Sequence, residues 1–405
     1  VPGTFGGYPR GSREYRRLLA ALFIAGVATF TQLWSAQGVL PQIAGDLEVS
    51  AATAALTVSG TTAGLAVAVL PWSWVADRIG RLAAMRIALV SASVLGLLAP
   101  LSPTAELLIG VRLIEGVALG GLPAVALTYL SEEVDRRHAA VAAATYVAGT
   151  SVGGLTGRLI AAPIAELSDW RGGLSAAAAV AALAAVAFLL LAPRSRGFRF
   201  GSAIGIGHIA STVRTLSKDR VVVALWAQGA LLMGALVTMY NYLGFHLEAE
   251  PFGLPPALAS LLFTAYLAGT LSSRIAGGIA ERLGRRRVLI SSGMLVLAGG
   301  LLTLSTLLWL IIVGLVLLTA GFFAGHATAS GWIGHRAAVG RGQATSLYTL
   351  SYYAGSSVAG WLGGILFVVA DWPAVVALVG ALAGSAIIVS VLVLHDEAEA
   401  ATGAH

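Results

Sequence analysis

Residues 74–81 read Trp74-Val75-Ala76-Asp77-Arg78-Ile79-Gly80-Arg81, and 204 residues later the pattern returns as Gly278-Ile279-Ala280-Glu281-Arg282-Leu283-Gly284-Arg285. Each copy places an acid, an arginine, a glycine and a second arginine at the end of a long apolar run. Two further matches follow in the same order. Gly149-Thr150-Ser151-Val152-Gly153-Gly154-Leu155-Thr156-Gly157 recurs as Gly355-Ser356-Ser357-Val358-Ala359-Gly360-Trp361-Leu362-Gly363, and Asp169-Trp170 recurs as Asp371-Trp372. Three matched places in one order make the chain a duplicated unit.

The surrounding composition says what kind of unit is duplicated. Of 405 residues, 57% are hydrophobic and 11% charged, and there is no cysteine. A soluble domain carries about 25% charged residues, so a soluble fold is excluded. Without cysteine there is neither a disulfide framework nor a thiolate metal site. A membrane-crossing helix needs roughly 20 apolar residues. Runs bounded by arginine, proline or acidic clusters predict spans at 17–41, 51–76, 82–101, 104–130, 138–166, 172–193, 221–247, 256–281, 287–304, 307–333, 340–368 and 373–394. The expected fold is all-α and integral to the membrane, with twelve transmembrane helices in two pseudo-symmetric six-helix bundles. The bundles occupy 1–193 and 221–405, joined by a polar connector at 194–220. Six spans per half keep the halves parallel, related by an axis along the membrane normal. The first run reads as a retained helix, being too long for a secretory signal.

The net charge of +6 is topological. With a cytoplasmic N-terminus, 21 of the 25 basic residues fall on one side, and the other side keeps only Arg171 among eight acids. This is the positive-inside pattern with both termini cytoplasmic, as expected of a bacterial inner-membrane protein. The arginines form no aromatic-interleaved patch, so no nucleic-acid partner is expected.

The acid-Arg-x-Gly-Arg loop in both halves, with Arg112-x-x-x-Gly116 in the fourth span, resembles the major facilitator superfamily over nearly the whole chain. Thr128-Tyr129-Leu130-Ser131-Glu132-Glu133, Gly153-Gly154-Leu155-Thr156-Gly157-Arg158 and Ser351-Tyr352-Tyr353-Ala354-Gly355-Ser356-Ser357 are similar to the arabinose-efflux-permease-like group near the twelve-span drug/proton antiporters. The resemblance implies two bundles rocking about one central site, without a cofactor, driven by a proton gradient and acting as a monomer on a small-molecule substrate in the bilayer. It also implies a gate at the duplicated loops, made of Asp77, Arg78, Arg81, Glu281, Arg282 and Arg285. The alternative there is a charged turn serving topology alone. The chain departs from the family pattern at Ser73 and Leu82 in the first loop, and it lacks the Gly-Pro step usual in the fifth span of antiporters.

Few charges remain within the spans, and an intramembrane charge is a functional hypothesis by default. Arg112 and Glu115 lie three apart on one helical face and can pair. An acid beside a mobile arginine suits a proton carrier; a static pair that neutralises Arg112 is the alternative. Asp46, at the outer end of the first span, reads as a helix-end or gate acid ahead of a coupling group. His326 titrates near neutral pH when unperturbed and is either a proton group or a packing residue. Arg158 and Arg274 are candidates for an anionic substrate group or for snorkelling. Polar and aromatic residues at mid-depth of spans one and seven, Gln32, Trp34, Gln37, Tyr240 and Asn241, are expected to line a cavity. Tyr266, Tyr352 and Tyr353 are further candidates of that kind. The fifth-span glycines 149, 153, 154 and 157 fit close helix approach.

No Gly-x-x-x-x-Gly-Lys-Ser/Thr segment occurs, so transport energy has to come from an ion gradient or the substrate's own gradient. The expected function is proton-coupled export of a small organic compound or drug. Uptake or facilitated diffusion of an organic anion, or translocation of a lipid-like amphiphile, are the alternatives. A receptor would be expected to add a signalling domain to the tail from His395, and an enzyme to cluster its His or acids at one depth; neither pattern is present.

Overall fold

The computed structural model describes residues 5–198, 206–337 and 340–394. Arg199, part of the connector and the tail from His395 lie outside them. The chain folds into α1 (Arg13–Trp34), α2 (Leu40–Asp46), α3 (Ala51–Ile79), α4 (Arg81–Leu98), α5 (Ala105–Leu119), α6 (Gly121–Glu133), α7 (Ala139–Leu167) and α8 (Trp170–Leu191). After α9 (Ile206–Leu216) come α10 (Arg220–Glu248), α11 (Pro256–Leu261), α12 (Tyr266–Leu283), α13 (Arg285–Leu302), α14 (Leu308–Arg336) and α15 (Arg341–Leu392). No strand occurs among the described residues. The twelve-helix all-α membrane fold is what the apolar runs predict: every expected span is helical, some of them as two helices joined directly or through a 3-10 turn, and the last two as the halves of α15. Nine described stretches are long and apolar enough to cross a membrane. Outside these nine stand α7 and α13, the latter starting on Arg285, Arg286 and Arg287; one of the nine, α15, holds two helices that meet at Ala370 and Asp371, where the backbone leaves helical geometry.

The chain packs as two units. One comprises Val1–Glu48 and Gly60–Ala203, the other Val49–Ser59 and Ile204–His405. In the first, α1 packs chiefly on α7 and α8, around a core that includes Leu18, Leu22, Tyr129 and Phe188. In the second, α10 packs chiefly on α15, and Leu225, Trp332 and Tyr348 belong to its core.

The repeated glycines set these contacts. A Cβ on Gly149, Gly153 or Gly157 would fall 2.2, 2.5 and 2.2 Å from the carbonyl oxygens of Phe23, Val27 and Thr31. Every fourth residue of α7 therefore lies directly on the α1 backbone, and no side chain fits between. In the second unit the same residue of the motif, Gly355, meets Ala230 O at 2.3 Å from its would-be Cβ. The lipid interior offers no hydrophobic drive for helix association, so this close van der Waals contact is what holds the pair.

The duplicated loops repeat a backbone shape. Gly80 caps α4 at φ 93°, ψ 148°, and Gly284 caps α13 at φ 90°, ψ 147°. Positive φ with ψ near 150° is open to glycine alone, which is why the motif carries glycine at this place in both copies.

Candidate functional site

The first unit holds a polar cluster around the end of α1. That helix tightens into a 3-10 turn over Ser35–Gly38, so its last carbonyls lose regular helical partners. Arg112, from α5, supplies replacements: its Nη2 donates to Gln32 O at 3.1 Å and Leu33 O at 3.2 Å. A cation at this place also suits the negative end of the α1 dipole. The same guanidinium donates from Nη1 to Glu115 Oε2 at 2.8 Å. Arg112 is 2% exposed and Glu115 0%, so each answers the other inside the protein; deleting the Glu115 side chain would leave the buried guanidinium without this acceptor. Gly116 makes room for the arrangement, since a Cβ there would sit 2.0 Å from Thr61 O of α3.

One turn further, Arg158 of α7 grips the 3-10 segment. Its Nε donates to Gln37 Oε1 at 2.7 Å and its Nη1 to Gly154 O at 2.8 Å. Its guanidinium carbon lies 4.8 Å from the Trp34 ring centroid, in cation–π contact. Arg158 is fully buried, so it is not a snorkelling residue. The expected pair Arg112 and Glu115, the expected lining residues Gln32, Trp34 and Gln37, and Arg158 thus meet at one break in one helix.

The second unit joins its candidates through rings. Tyr240 stacks on Phe263 at 5.2 Å and touches Tyr266 at 5.1 Å; its hydroxyl is 2.8 Å from Thr319 Oγ1. Tyr266 meets Phe323 at 5.7 Å, and Phe323 meets Phe322 at 5.1 Å. Phe322 stacks on His326 at 5.9 Å, and His326 contacts Tyr352 at 4.8 Å. Tyr353 closes the series edge-on to Tyr352 at 4.9 Å. His326 Nδ1 is 2.9 Å from the Tyr348 hydroxyl, so the histidine is hydrogen-bonded within an aromatic surround. Asn241 is buried beside Gly360, its Nδ2 3.1 Å from where a Cβ on that glycine would stand. Arg274, on α12, is exposed.

Asp46, at the end of α2, accepts from Trp170 Nε1 at 2.8 Å and from Arg171 Nη1. Those two bonds hold its carboxyl below the usual carboxylate range. The residue ties α2 to the start of α8.

The duplicated loops differ in their charges. In the first, Arg81 pairs with Asp77 and, at 3.2 Å, with Glu132 of α6. Arg78 lies over Trp74 at 3.3 Å, and Phe198 covers Arg81 at 5.5 Å. In the second, Glu281 and Arg282 are exposed, and no ion pair among the described residues includes Glu281. Arg285 there faces Trp332 at 5.9 Å.

Sequence reasoning missed the partners more than the principals. Glu132, Trp170 and Tyr348 each complete a predicted residue's environment. Tyr348 had a signal, standing four residues before Tyr352 on the same helix; Glu132 had only its place at a span end. Among the described residues no group of His, Cys, Asp and Glu is arranged to hold a metal.

The sequence profile described as Major Facilitator Superfamily matches residues 22–251 and 242–404. The inner membrane transport protein YnfM of Escherichia coli (strain K12) is 39% identical over 358 residues, covering 88% of this chain and 86% of YnfM. The MFS-type transporter YybF of Bacillus subtilis (strain 168), itself uncharacterized, is 34% identical over 370 residues, covering 91% of each. Among solved structures, a D-xylose-proton symporter superposes with a TM-score of 0.75 at 14% identity, covering 95% of this chain and 98% of that one; this likeness concerns the fold.

Proposed function

The chain belongs to the major facilitator superfamily, a multi-pass membrane transporter and not an enzyme, and on that footing we propose that it exports a small organic compound or drug in exchange for protons. Two halves of six helices, with both termini cytoplasmic in the inner membrane, alternate access to one site. The observation that carries the proton-coupled reading is the Arg112–Glu115 pair: an acid with no solvent exposure, held by one guanidinium that also clamps the broken end of α1. Adding a proton to Glu115 removes the charge that Arg112 neutralises. The guanidinium keeps its bonds to the α1 carbonyls, and the restraint between α5 and α1 changes. Protonation and the conformation of α1 are coupled through one side chain.

Substrate contacts are assigned, within the first unit, to the same break and, within the second, to its aromatic series. Trp34 and Gln37 offer an indole face and an amide; Tyr240, Tyr266 and Tyr352 offer rings and hydroxyls. Such a lining suits flat or amphiphilic organic molecules. The Arg81–Asp77–Glu132 cluster serves as the gate contact of the first half.

A second reading, uptake or facilitated diffusion of an organic anion, has the buried cation Arg158 in its favour. Two buried acceptors already hold that guanidinium, which places it behind proton-coupled export. Both readings are separated by one assay. Ligands found by thermal shift in a metabolite and drug library are loaded into proteoliposomes under an imposed pH gradient. Counterflow of protons and ligand supports the proposal, and movement indifferent to the gradient rejects it.

A further inference from the structure

Arg112 occupies one oxygen of Glu115; the other is left over. Glu115 Oε1 is buried with no hydrogen-bond partner, and so is Gln32 Nε2. Both side chains are more than nine-tenths buried, Glu115 at 0% and Gln32 at 3% exposure. They point at one place, over Gly96 of α4: a Cβ on Gly96 would stand 2.5 Å from Gln32 Nε2 and 3.1 Å from Glu115 Oε1. Three helices thus bring an unpaired donor and an unpaired acceptor together over a residue without a side chain. A small side-chain rotation or one bridging water would close the gap between them, and a buried polar group left unpaired is costly enough to favour that closure.

We infer that Gln32 is the positioning residue for the proton on Glu115, serving its free oxygen in both protonation states. With the carboxylate charged, the amide NH2 donates to Oε1. A proton arriving from water goes to Oε1, because Oε2 is already occupied by Arg112 Nη1. Oε1 is then a donor, and a half-turn of the Gln32 amide presents its oxygen as acceptor; an amide carries both functions at nearly the same place. Gly96 is required because any side chain there would wedge the two apart. Arg112 is the charged group that faces Glu115; Gln32 and Gly96, brought by α1 and α4, carry no charge. The main chain of Gln32 is itself held by Arg112, at the break that presents Trp34 and Gln37. The amide turn therefore links the proton to the segment assigned to substrate.

The inference rests on Glu115 carrying the proton, and the experiment separates the two claims. Infrared difference spectra of the full chain in lipid, recorded between alkaline and acidic pH, report the C=O stretch of protonated carboxyl groups. A band present in the wild type and lost in Glu115→Gln assigns the proton. In Gln32→Leu, which removes donor and acceptor at similar volume, that band moves to higher frequency and its pH midpoint shifts. Gly96→Ala gives the same upward move with the glutamine retained; Gln32→Leu stands alone where Gly96→Ala fails to fold. A band unmoved in Gln32→Leu overturns the role of Gln32 while leaving Glu115 as carrier. A band that survives Glu115→Gln overturns both.

Discussion

Arg112 and Glu115 form an ion pair at 2.8 Å within one helix, three residues apart and closed to solvent. The guanidinium is shared with the carbonyls of Gln32 and Leu33. A buried pair of this kind is a poor source of stability, since desolvation offsets most of the attraction. Its value is as a two-state contact. Glu115→Gln is predicted to retain folding and ligand binding, because the amide keeps the shape and one acceptor for Arg112. Thermal shift by a bound ligand should persist in that variant, whereas Arg112→Leu should lose most of its folded yield by stranding the Gln32 and Leu33 carbonyls at the end of α1.

Arg158 is predicted to act on architecture as well as on recognition. Arg158→Ala removes the bonds to Gln37 and Gly154 and the cation–π contact with Trp34. A loss of about 3 kcal/mol follows, read as a lower melting temperature in detergent. Arg158→Lys should recover part of it. Selective loss of anionic ligands in Arg158→Lys, with neutral ones unaffected, would assign the residue to the substrate.

Gly153→Leu should separate α1 from α7. The first added carbon already meets Val27 O at 2.5 Å, so the helices must move apart or tilt. Overpacking costs about 1–3 kcal/mol or more where backbone is the obstacle. Size-exclusion profiles and thermal unfolding should show the damage. Gly45→Leu, with open space around the position, is the matched control and should be neutral.

Asp46 carries a pH dependence with a definite sign. Its folded carboxyl is held below its unfolded value of about 4 by the Trp170 and Arg171 bonds. The stabilisation is therefore full above the unfolded value and fades as pH falls through the folded one. Asp46→Asn should melt below the wild type at neutral pH, and the two curves should converge in acid. The side chain is 48% exposed, so the difference is small, and a gap that widens in acid would contradict the assignment.

The two loops should respond unequally. Asp77→Asn weakens a contact with the buried Arg81 and should reduce transport several-fold. Glu281→Gln, at an exposed position without an ion pair among the described residues, should alter it little. Transport rates normalised to folded protein compare them.

The fold was legible because lipid imposes a simple rule: backbone groups are satisfied within helices, so apolar length and flanking arginines mark each span. The duplicated glycines were legible too, since only close backbone approach calls for Gly149, Gly153 and Gly157 at a four-residue spacing. The candidate site was legible by residue type alone. That Gln32, Arg112 and Glu115 would meet could not be read, because the meeting depends on α1 ending in a 3-10 turn, and Ser35-Ala36-Gln37-Gly38 has no proline to announce it. Arg274 shows the converse. From sequence it was a candidate of the same kind as Arg158, yet Arg158 is buried against the end of α1 and Arg274 is exposed on α12, a difference set by tertiary packing.

The most direct measurement is proton movement in proteoliposomes containing an internal pH dye, with a ligand from the thermal-shift screen added under an imposed pH gradient. The account predicts ligand-dependent proton flux in the wild type and none in Glu115→Gln, with ligand binding intact. Undiminished ligand-dependent flux in Glu115→Gln would contradict it.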